Sequence, residues 1–313
     1  MQLFFWKMVT VTFPLLMLIL GSIGIFLTGH FWRRSHKRDN RESPLNHDLL
    51  RPPGFSLTKR LDEIDSELNL QMAWILAIPG IVYTVHLSLS YFGGEAETVF
   101  RTVVSALFAL GMTIYSARKL MRLLTERKNF ILGRDGEMFT GEVLNQLMRH
   151  GCRVFHDIEF PYGNIDHVAV CPSGVFSINT KMHSKPKKGK DKAAANVDYV
   201  KNRITFPDRY IEIPLQQLEC EAKWLSQELS SATALPISVV PMLALPGWFV
   251  QHLTRPTRIT VFNPFNCEGL FLKRAQKLSP EQIRQVAYQL EQRCHKIAPS
   301  FREPRSWDSK TAK

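Results

Sequence analysis

Apolar and polar positions divide this chain into two regimes. The first half carries three long apolar runs, and the second half carries short alternating ones. From Met8 to about Phe31 there is no acidic residue, lysine or arginine. A second run spans Met72 to Phe92 and a third spans Val99 to Ala117, joined by Gly93-Gly94-Glu95-Ala96-Glu97-Thr98. A helix needs roughly 20 such residues to cross the ~30 Å hydrocarbon layer of a bilayer, so the pattern predicts about three transmembrane α-helices, the last two as a hairpin. The first run exceeds the ~7 to 15 apolar residues of a secretory signal core and no small-x-small cleavage pattern follows it. A retained anchor is therefore favoured over a cleaved signal. His86 and Arg101 are the polar interruptions of the hairpin; both read as structural, Arg101 because it lies within one turn of the loop and can reach the headgroups.

After the third run the periodicity changes. Arg118 to Lys128 continues the helix out of the bilayer, and Gly133 is expected to break it before a helix starting near Glu137. Val154 to Phe160, Ile165 to Cys171 and Gly174 to Thr180 are β-branched and aromatic runs separated by Tyr162-Gly163 and Pro172-Ser173-Gly174, which predicts three adjacent strands with tight turns. A helix from about Pro214 to Leu229 follows, then an apolar strand, Ile237 to Leu245, of the kind buried on both faces, and a further strand at Ile259 to Phe262. The last helix opens with Ser279 as N-cap, Pro280 in its first turn and Gln282 three residues on, a capping box. Pattern alone thus predicts an α/β domain with a mixed sheet. The resulting division is a first transmembrane helix in 1–32, a basic loop in 33–70 whose stretch 39–60 is irregular, the hairpin in 71–118, an α/β domain in 119–300 and a polar tail in 301–313.

Charge orients these pieces. Arg33, Arg34, Lys37, Arg38 and Arg41 follow the first run; Arg118, Lys119, Arg122, Arg127 and Lys128 follow the third; the hairpin tip is acidic. The positive-inside rule then predicts a multi-pass inner-membrane protein with the C-terminal domain in the cytoplasm. Five cysteines, Cys152, Cys171, Cys220, Cys267 and Cys294, are scattered and odd in number. They suggest neither a zinc site nor a disulfide framework, and reduced thiols are expected.

The candidate chemistry lies between 133 and 181. Gly136-Glu137 opens a helical stretch, Asn164-Ile165-Asp166-His167 lies on one strand, and Phe176-Ser177-Ile178-Asn179-Thr180-Lys181 lies on the next. An acid on a helix, an acid on a strand and a lysine closing the neighbouring strand outline a metal-dependent phosphodiester-cutting site. The sequence Gly133-Arg134-Asp135-Gly136-Glu137 is followed by Val143-Leu144, Leu147, Gly151, Val154-Phe155-His156-Asp157-Ile158, Ile165-Asp166-His167 and Pro172-Ser173-Gly174-Val175-Phe176. Further on come Pro214-Leu215-Gln216-Gln217, Pro236 to Pro241, Leu245-Pro246-Gly247 and Leu278-Ser279-Pro280-Glu281-Gln282. In this order, residues 133 to about 295 resemble the nuclease-related domain (NERD), a branch of the PD-(D/E)xK nuclease superfamily.

The resemblance implies a restriction-endonuclease-like fold, a Mg (or Mn) cofactor and binding with hydrolysis of nucleic acid, DNA or RNA, with DNA favoured. It implies Asp166 as metal ligand, Glu137 as second carboxylate and Lys181 beside the attacking water, with Gln217 reaching the site from the later helix. Asn179 departs from the pattern, because the family usually has glutamate there. An asparagine removes one negative charge and one methylene of reach, although its carbonyl and that of Thr180 remain possible oxygen donors. Two readings stay open: an active nuclease with altered metal binding, and a non-catalytic module of the same fold that binds nucleic acid or a partner. His156 and His167 match the family and read as structural.

Immediately after the lysine strand comes a run containing Lys185, Lys187, Lys188, Lys190 and Lys192. Lysines that neutralise phosphates supply non-specific nucleic-acid affinity, and this run would lie along the bound strand. The net charge of +12 and an isoelectric point near 9.6 agree, although juxtamembrane arginine and lysine supply part of the excess. The expected partners are nucleic acid and the lipid bilayer; a membrane-protein partner, a second copy of the chain, or a scaffold role for the hairpin stays open.

Overall fold

The computed structural model describes residues 27–28, 45, 47–92, 98–186, 194–256 and 258–297. Apart from residues 27–28, the first predicted span lies outside the described residues, as do the basic residues that follow it, the acidic hairpin tip and the 301–313 tail. Two compact units emerge: residues 63–127 belong to one, and residues 44–62 with 128–302 to the other.

The first unit is built from parts of two long helices, α1 (Phe55–Phe92) and α2 (Thr98–Asn145). Both are long and apolar enough to cross a membrane. His86 lies 3.4 Å from the hydroxyls of Thr102 and of Ser105, and Arg101 Nη1 donates to the Leu89 carbonyl at 3.0 Å, so both polar interruptions find partners on the facing helix. Asp65 and Arg127 pair at 2.6 Å.

Helix α1 corrects the expected loop. Residues 55–70, placed in the basic loop, are helical from Phe55 onward. Pro52 and Pro53 end at the helix start, and from Leu57 the apolar residues Leu61, Ile64 and Leu68 recur at helical spacing and are buried. Helix α2 corrects the expected break, since it runs through Gly133 and Gly136 to Asn145. A helical glycine costs about 1 kcal/mol relative to alanine, too little by itself to end a long helix.

In the second unit, a mixed sheet forms the core. Its strands are β2 (Arg153–Phe160), β3 (Gly163–Cys171), β4 (Gly174–Thr180), β8 (Val239–Ala244) and β10 (Thr260–Phe262), in the order β10-β8-β4-β3-β2. The hairpin pairs β2–β3–β4 are antiparallel, and β4–β8 and β8–β10 are parallel. Between β4 and β8 the chain makes strands β5 (Ala194–Asp198), β6 (Arg203–Thr205) and β7 (Tyr210–Glu212), then helix α3 (Leu215–Thr233). Strand β9 (Phe249–His252) joins these three short strands as a second sheet, β7-β6-β5-β9, which the pattern does not predict because charged residues interrupt runs of three to five.

Apolar burial on both faces of the large sheet explains its stability. Ile158, Ile165, Val168 and Val175 pack under Ala222, Leu225 and Leu229 of α3 and under Ile283, Val286 and Leu290 of α5 (Pro280–Cys294). The other face, with Ala169, Phe176 and Ile178, meets Leu144 of α2, Leu147 and Phe271 of the short helix α4 (Glu268–Leu272). Helix α5 starts as expected: Ser279 Oγ accepts from Gln282 N at 3.2 Å and Gln282 Oε1 accepts from Ser279 N at 2.8 Å. The two-residue strand β1 (Leu49–Leu50) pairs antiparallel with β11 (His295–Ile297), which ties the segment before α1 to the end of this unit.

Cysteine pairing is a further correction. Cys152 and Cys171 are joined as a disulfide, while Cys220, Cys267 and Cys294 are free. The β2–β3 register, in which Arg153 pairs with Val170, sets Cys152 opposite Cys171. Reading the hairpin register, rather than the cysteine count, would have found the pair.

Candidate functional site

Side chains on a strand alternate between faces, so an aspartate on one strand and an x-lysine pattern on the next can share a face. His167 pairs with Ile178 across β3 and β4, which makes Asp166 and Asn179 the next opposed pair. The Asp166 carboxylate accepts from the backbone N–H of Thr180 at 2.6 Å, and the Asn179 carbonyl oxygen faces the Asp166 N–H at 3.4 Å. Lys181 leaves the end of β4 with its N–H donating to the Ala244 carbonyl at 2.9 Å. From α2, Glu137 enters as a buried carboxylate, admitted by its neighbour Gly136, where a Cβ would stand 2.6 Å from Met182 Cβ.

The electrostatics show that these groups form one cluster. Burial first, then the charges of Asp166 and Asp157, push Glu137 up to about 9, with Lys181 opposing. Burial pushes Asp166 up to about 7, although the Thr180 N–H and Lys181 favour its ionised form. Two carboxyl groups that resist ionisation are held largely neutral, and a cation beside them would favour their ionised form. Among the described residues no group of three or more His, Cys, Asp or Glu side chains could hold a metal ion. The donors that the cluster offers are the two carboxylates with amide and backbone carbonyl oxygens, the hard oxygen ligands that magnesium takes together with several waters.

A residue that the sequence reading did not single out completes the cluster. Glu221 of α3, only 1% exposed, accepts from the Asn179 side-chain amide at 2.7 Å and from Gln217 Nε2 at 2.9 Å. Burial raises its pKa, and its charge acts on Asp166. Gln217 itself is exposed and touches the cluster through Glu221. The signal was available: Leu218, Glu221, Ala222, Leu225 and Leu229 form the buried face of α3, and a carboxylate on that stripe requires a partner.

Asp157 stands opposite Asp166, between the pairs His156–His167 and Ile158–Ile165, in the left-handed conformation at φ 53°. Its carboxylate turns toward the segment before α1, accepting from Ser56 Oγ at 2.6 Å and Arg51 Nη1 at 3.5 Å. Arg51 also pairs with Glu159, and Asn164 donates to Ser56 Oγ at 2.5 Å. Below the cluster, the two histidines are structural as expected. Burial pushes His156 down to about 4, and burial with the His156 ring beside it holds His167 well below the imidazole range. One tautomer set satisfies both rings: Thr180 Oγ1 donates to His167 Nε2 at 3.2 Å, His167 Nδ1 to His156 Nδ1 at 2.9 Å, and His156 Nε2 to Asn145 Oδ1 at 3.1 Å.

Of the lysine run, Lys185 is described: its ammonium lies 5.0 Å from the centre of the Trp248 ring, a cation–π contact. Lys187, Lys188, Lys190 and Lys192 lie outside the described residues.

Residues 132–246 match the nuclease-related domain, NERD. No curated protein and no solved structure matches the chain. The NERD match contains Glu137, Asp166, Asn179, Lys181 and Glu221, and it ends before β10 and α5, which the resemblance read from sequence includes.

Proposed function

We propose that this chain is a membrane-anchored, cytoplasm-facing nuclease-like protein that binds nucleic acid, DNA rather than RNA, and hydrolyses its phosphodiester bonds with a magnesium or manganese ion. The observation that carries the reading is the convergence of Glu137 from α2, Asp166 from β3 and Lys181 from the end of β4 in one electrostatic cluster inside the NERD match. Glu137 and Asp166 would hold the metal, with the Asn179 and Thr180 carbonyls as further oxygen donors. Bound there, a divalent ion supplies a nucleophilic water and neutralises charge on the phosphoryl oxygens. Hydrolysis forms a bond from water oxygen to phosphorus and breaks the bond to the leaving sugar oxygen, which takes up a proton. Lys181 offsets the charge that the phosphate brings, and Lys185 with the adjoining lysines holds the backbone of the bound strand.

Membrane anchoring is supported by the exposure of the apolar helices: among the described residues only 11% of the apolar window of α1 and 6% of that of α2 is buried. A core helix of a soluble domain would bury far more. The basic flanks and acidic tip favour the cytoplasmic side for the second unit. Asn179 favours the runner-up, a metal-poor module that binds nucleic acid or a partner without cutting. A cleavage assay on the full chain in detergent, with linear and supercoiled DNA and with RNA, in magnesium or manganese, separates them. Cleavage that vanishes in Asp166→Ala supports the enzyme; metal-independent binding without cleavage supports the module.

A further inference from the structure

Polar contacts join α1 and α2 at two levels. Asp65 pairs with Arg127 at 2.6 Å, and His86 lies 3.4 Å from the Thr102 and Ser105 hydroxyls. Residues that fall between these levels on both helices line a cavity of about 520 Å³, a size typical of sites for small ligands. We propose that this cavity binds a phospholipid of the cytoplasmic leaflet whose headgroup carries a primary ammonium, the class of phosphatidylethanolamine.

The lining changes along the helices as a bilayer does. Glu67 and Lys119 lie outside the apolar runs that begin at Met72 and end at Ala117, whereas Trp74, Ile78 and Met112 lie inside them. Glu67 to Ile78 spans roughly 16 Å along a helix, enough for a headgroup at one end and the first part of an acyl chain at the other. A water-soluble ligand would leave the apolar end unmatched, and a plain hydrocarbon would leave the polar end unmatched.

Between those ends the wall lacks partners of its own. Gln71 is 5% exposed and Ser116 3% exposed; both line the cavity, and neither side chain hydrogen-bonds to a described residue. Burying an amide and a hydroxyl without partners is unfavourable, and the ester oxygens of a glycerolipid offer acceptors at this depth.

Charge selects the headgroup. Glu67 and Lys119 join no ion pair among the described residues, unlike Asp65 and Arg127. One acid and one base on the same cavity suit a headgroup that carries both an ammonium and a phosphate, Lys119 donating to the phosphate and Glu67 accepting from the ammonium. A quaternary ammonium has no N–H to donate, and a glycerol headgroup has no cation.

This inference rests on the membrane anchoring proposed above, and two measurements keep them apart. Flotation of the full chain with phosphatidylcholine vesicles tests insertion. Quenching of Trp74 by phosphatidylethanolamine with brominated acyl chains tests the cavity, because bromine quenches an indole only at close approach; Trp74→Phe gives the background from the other tryptophans. Quenching of wild type should saturate at a low mole fraction of the brominated lipid. Unlabelled phosphatidylethanolamine should compete about 10-fold better than phosphatidylcholine or phosphatidylglycerol, the scale of one hydrogen bond to a charged group. Glu67→Gln should remove that preference, and Lys119→Gln should weaken all three lipids. Both residues are exposed, and helix content by circular dichroism checks that the variants fold. A floating chain whose Trp74 is quenched equally by all three headgroups, in proportion to bulk composition, overturns the inference and leaves the anchoring standing. So does a preference unchanged in folded Glu67→Gln. A floating chain whose Trp74 is not quenched also overturns it, since another segment or a second copy then fills the cavity. Failure to float overturns the anchoring and the inference with it.

Discussion

The backbone N–H of Thr180 donates to the carboxylate of Asp166 at 2.6 Å, so β4 holds in place the acid that β3 carries. This bond favours the ionised form of Asp166, while burial opposes it more strongly. Asp166 is thus held in one position, at a cost in stability, as the proposed metal site requires. Asp166→Asn keeps an acceptor for Thr180 and removes the charge. In metal-free buffer at pH 8 it should raise the unfolding temperature by roughly 2 to 4 °C, the shift expected for ~1 kcal/mol in a domain of this size, while abolishing the stabilisation that magnesium gives wild type. Fluorimetric melting with and without magnesium measures both.

The same groups set a pH dependence. Asp166 is raised from 3.8 to about 7 and Glu137 from 4.5 to about 9, so between these limits the folded state binds more protons than the unfolded state. Their contribution to stability is therefore greatest below about pH 4, falls as pH rises through 7 and 9, and levels off above. Magnesium should raise the melting temperature more at pH 8.5 than at pH 6, with protons released on binding. His156 and His167 have the opposite sign: their lowered pKa values make stability fall as pH drops below 6.5 toward 4. Comparing Asp166→Asn with wild type isolates the carboxylate slope; identical slopes would remove Asp166 from it.

Arg51 carries a separate load. Its side chain is 8% exposed and that of Asp157 3%, so Arg51→Ala leaves a buried carboxylate with only Ser56 and Asn164 as partners. A loss of about 3 kcal/mol is expected, as for a buried pair broken on one side. Asp157→Asn should cost less, because asparagine tolerates the φ of 53° and leaves no anionic charge behind. Urea midpoints with unchanged slopes check the order.

Much of this was legible in the chain. Strands β2, β3 and β4, the buried β8 and the capping box at Ser279 follow from local periodicity, which depends on neighbours in sequence, whereas the candidate roles of Asp166 and Lys181 came from the family resemblance. Glu221 and Arg51 did not, because each acts on a residue far along the chain: Glu221 on Asn179, and Arg51 on Asp157. Local pattern shows that a polar residue occupies a buried stripe but not which partner satisfies it. The continuous α2 was missed for a different reason, since Gly133 reads locally as a stop whereas a long helix tolerates the ~1 kcal/mol that one glycine costs.

Affinity for nucleic acid should follow the lysine run rather than sequence. Neutralising Lys185, Lys187, Lys188 and Lys190 together should weaken binding equally for unrelated duplexes and flatten the salt dependence by roughly 0.9 log unit per lost phosphate contact. Filter binding across a salt series measures the slope; an unchanged slope assigns these lysines to a solvated face.

Two glycines on α2 separate helix propensity from site geometry. At Gly133 an added Cβ meets only Leu57 Cδ1, at 3.4 Å, the end of a flexible side chain. Gly133→Ala should therefore stabilise the chain by up to about 1 kcal/mol, the helical preference for alanine. At Gly136 the same Cβ would stand 2.6 Å from Met182 Cβ, next to Lys181 on one side and Glu137 on the other. Overpacking of about 1 to 3 kcal/mol outweighs the propensity gain there. The helix and the end of β4 can relieve it only by moving apart, which separates Glu137 from Asp166 and Lys181. Gly136→Ala should thus lower the melting temperature and weaken manganese binding, while Gly133→Ala raises the first and leaves the second unchanged. Equal manganese affinity in both variants would mean that Glu137 does not hold the metal.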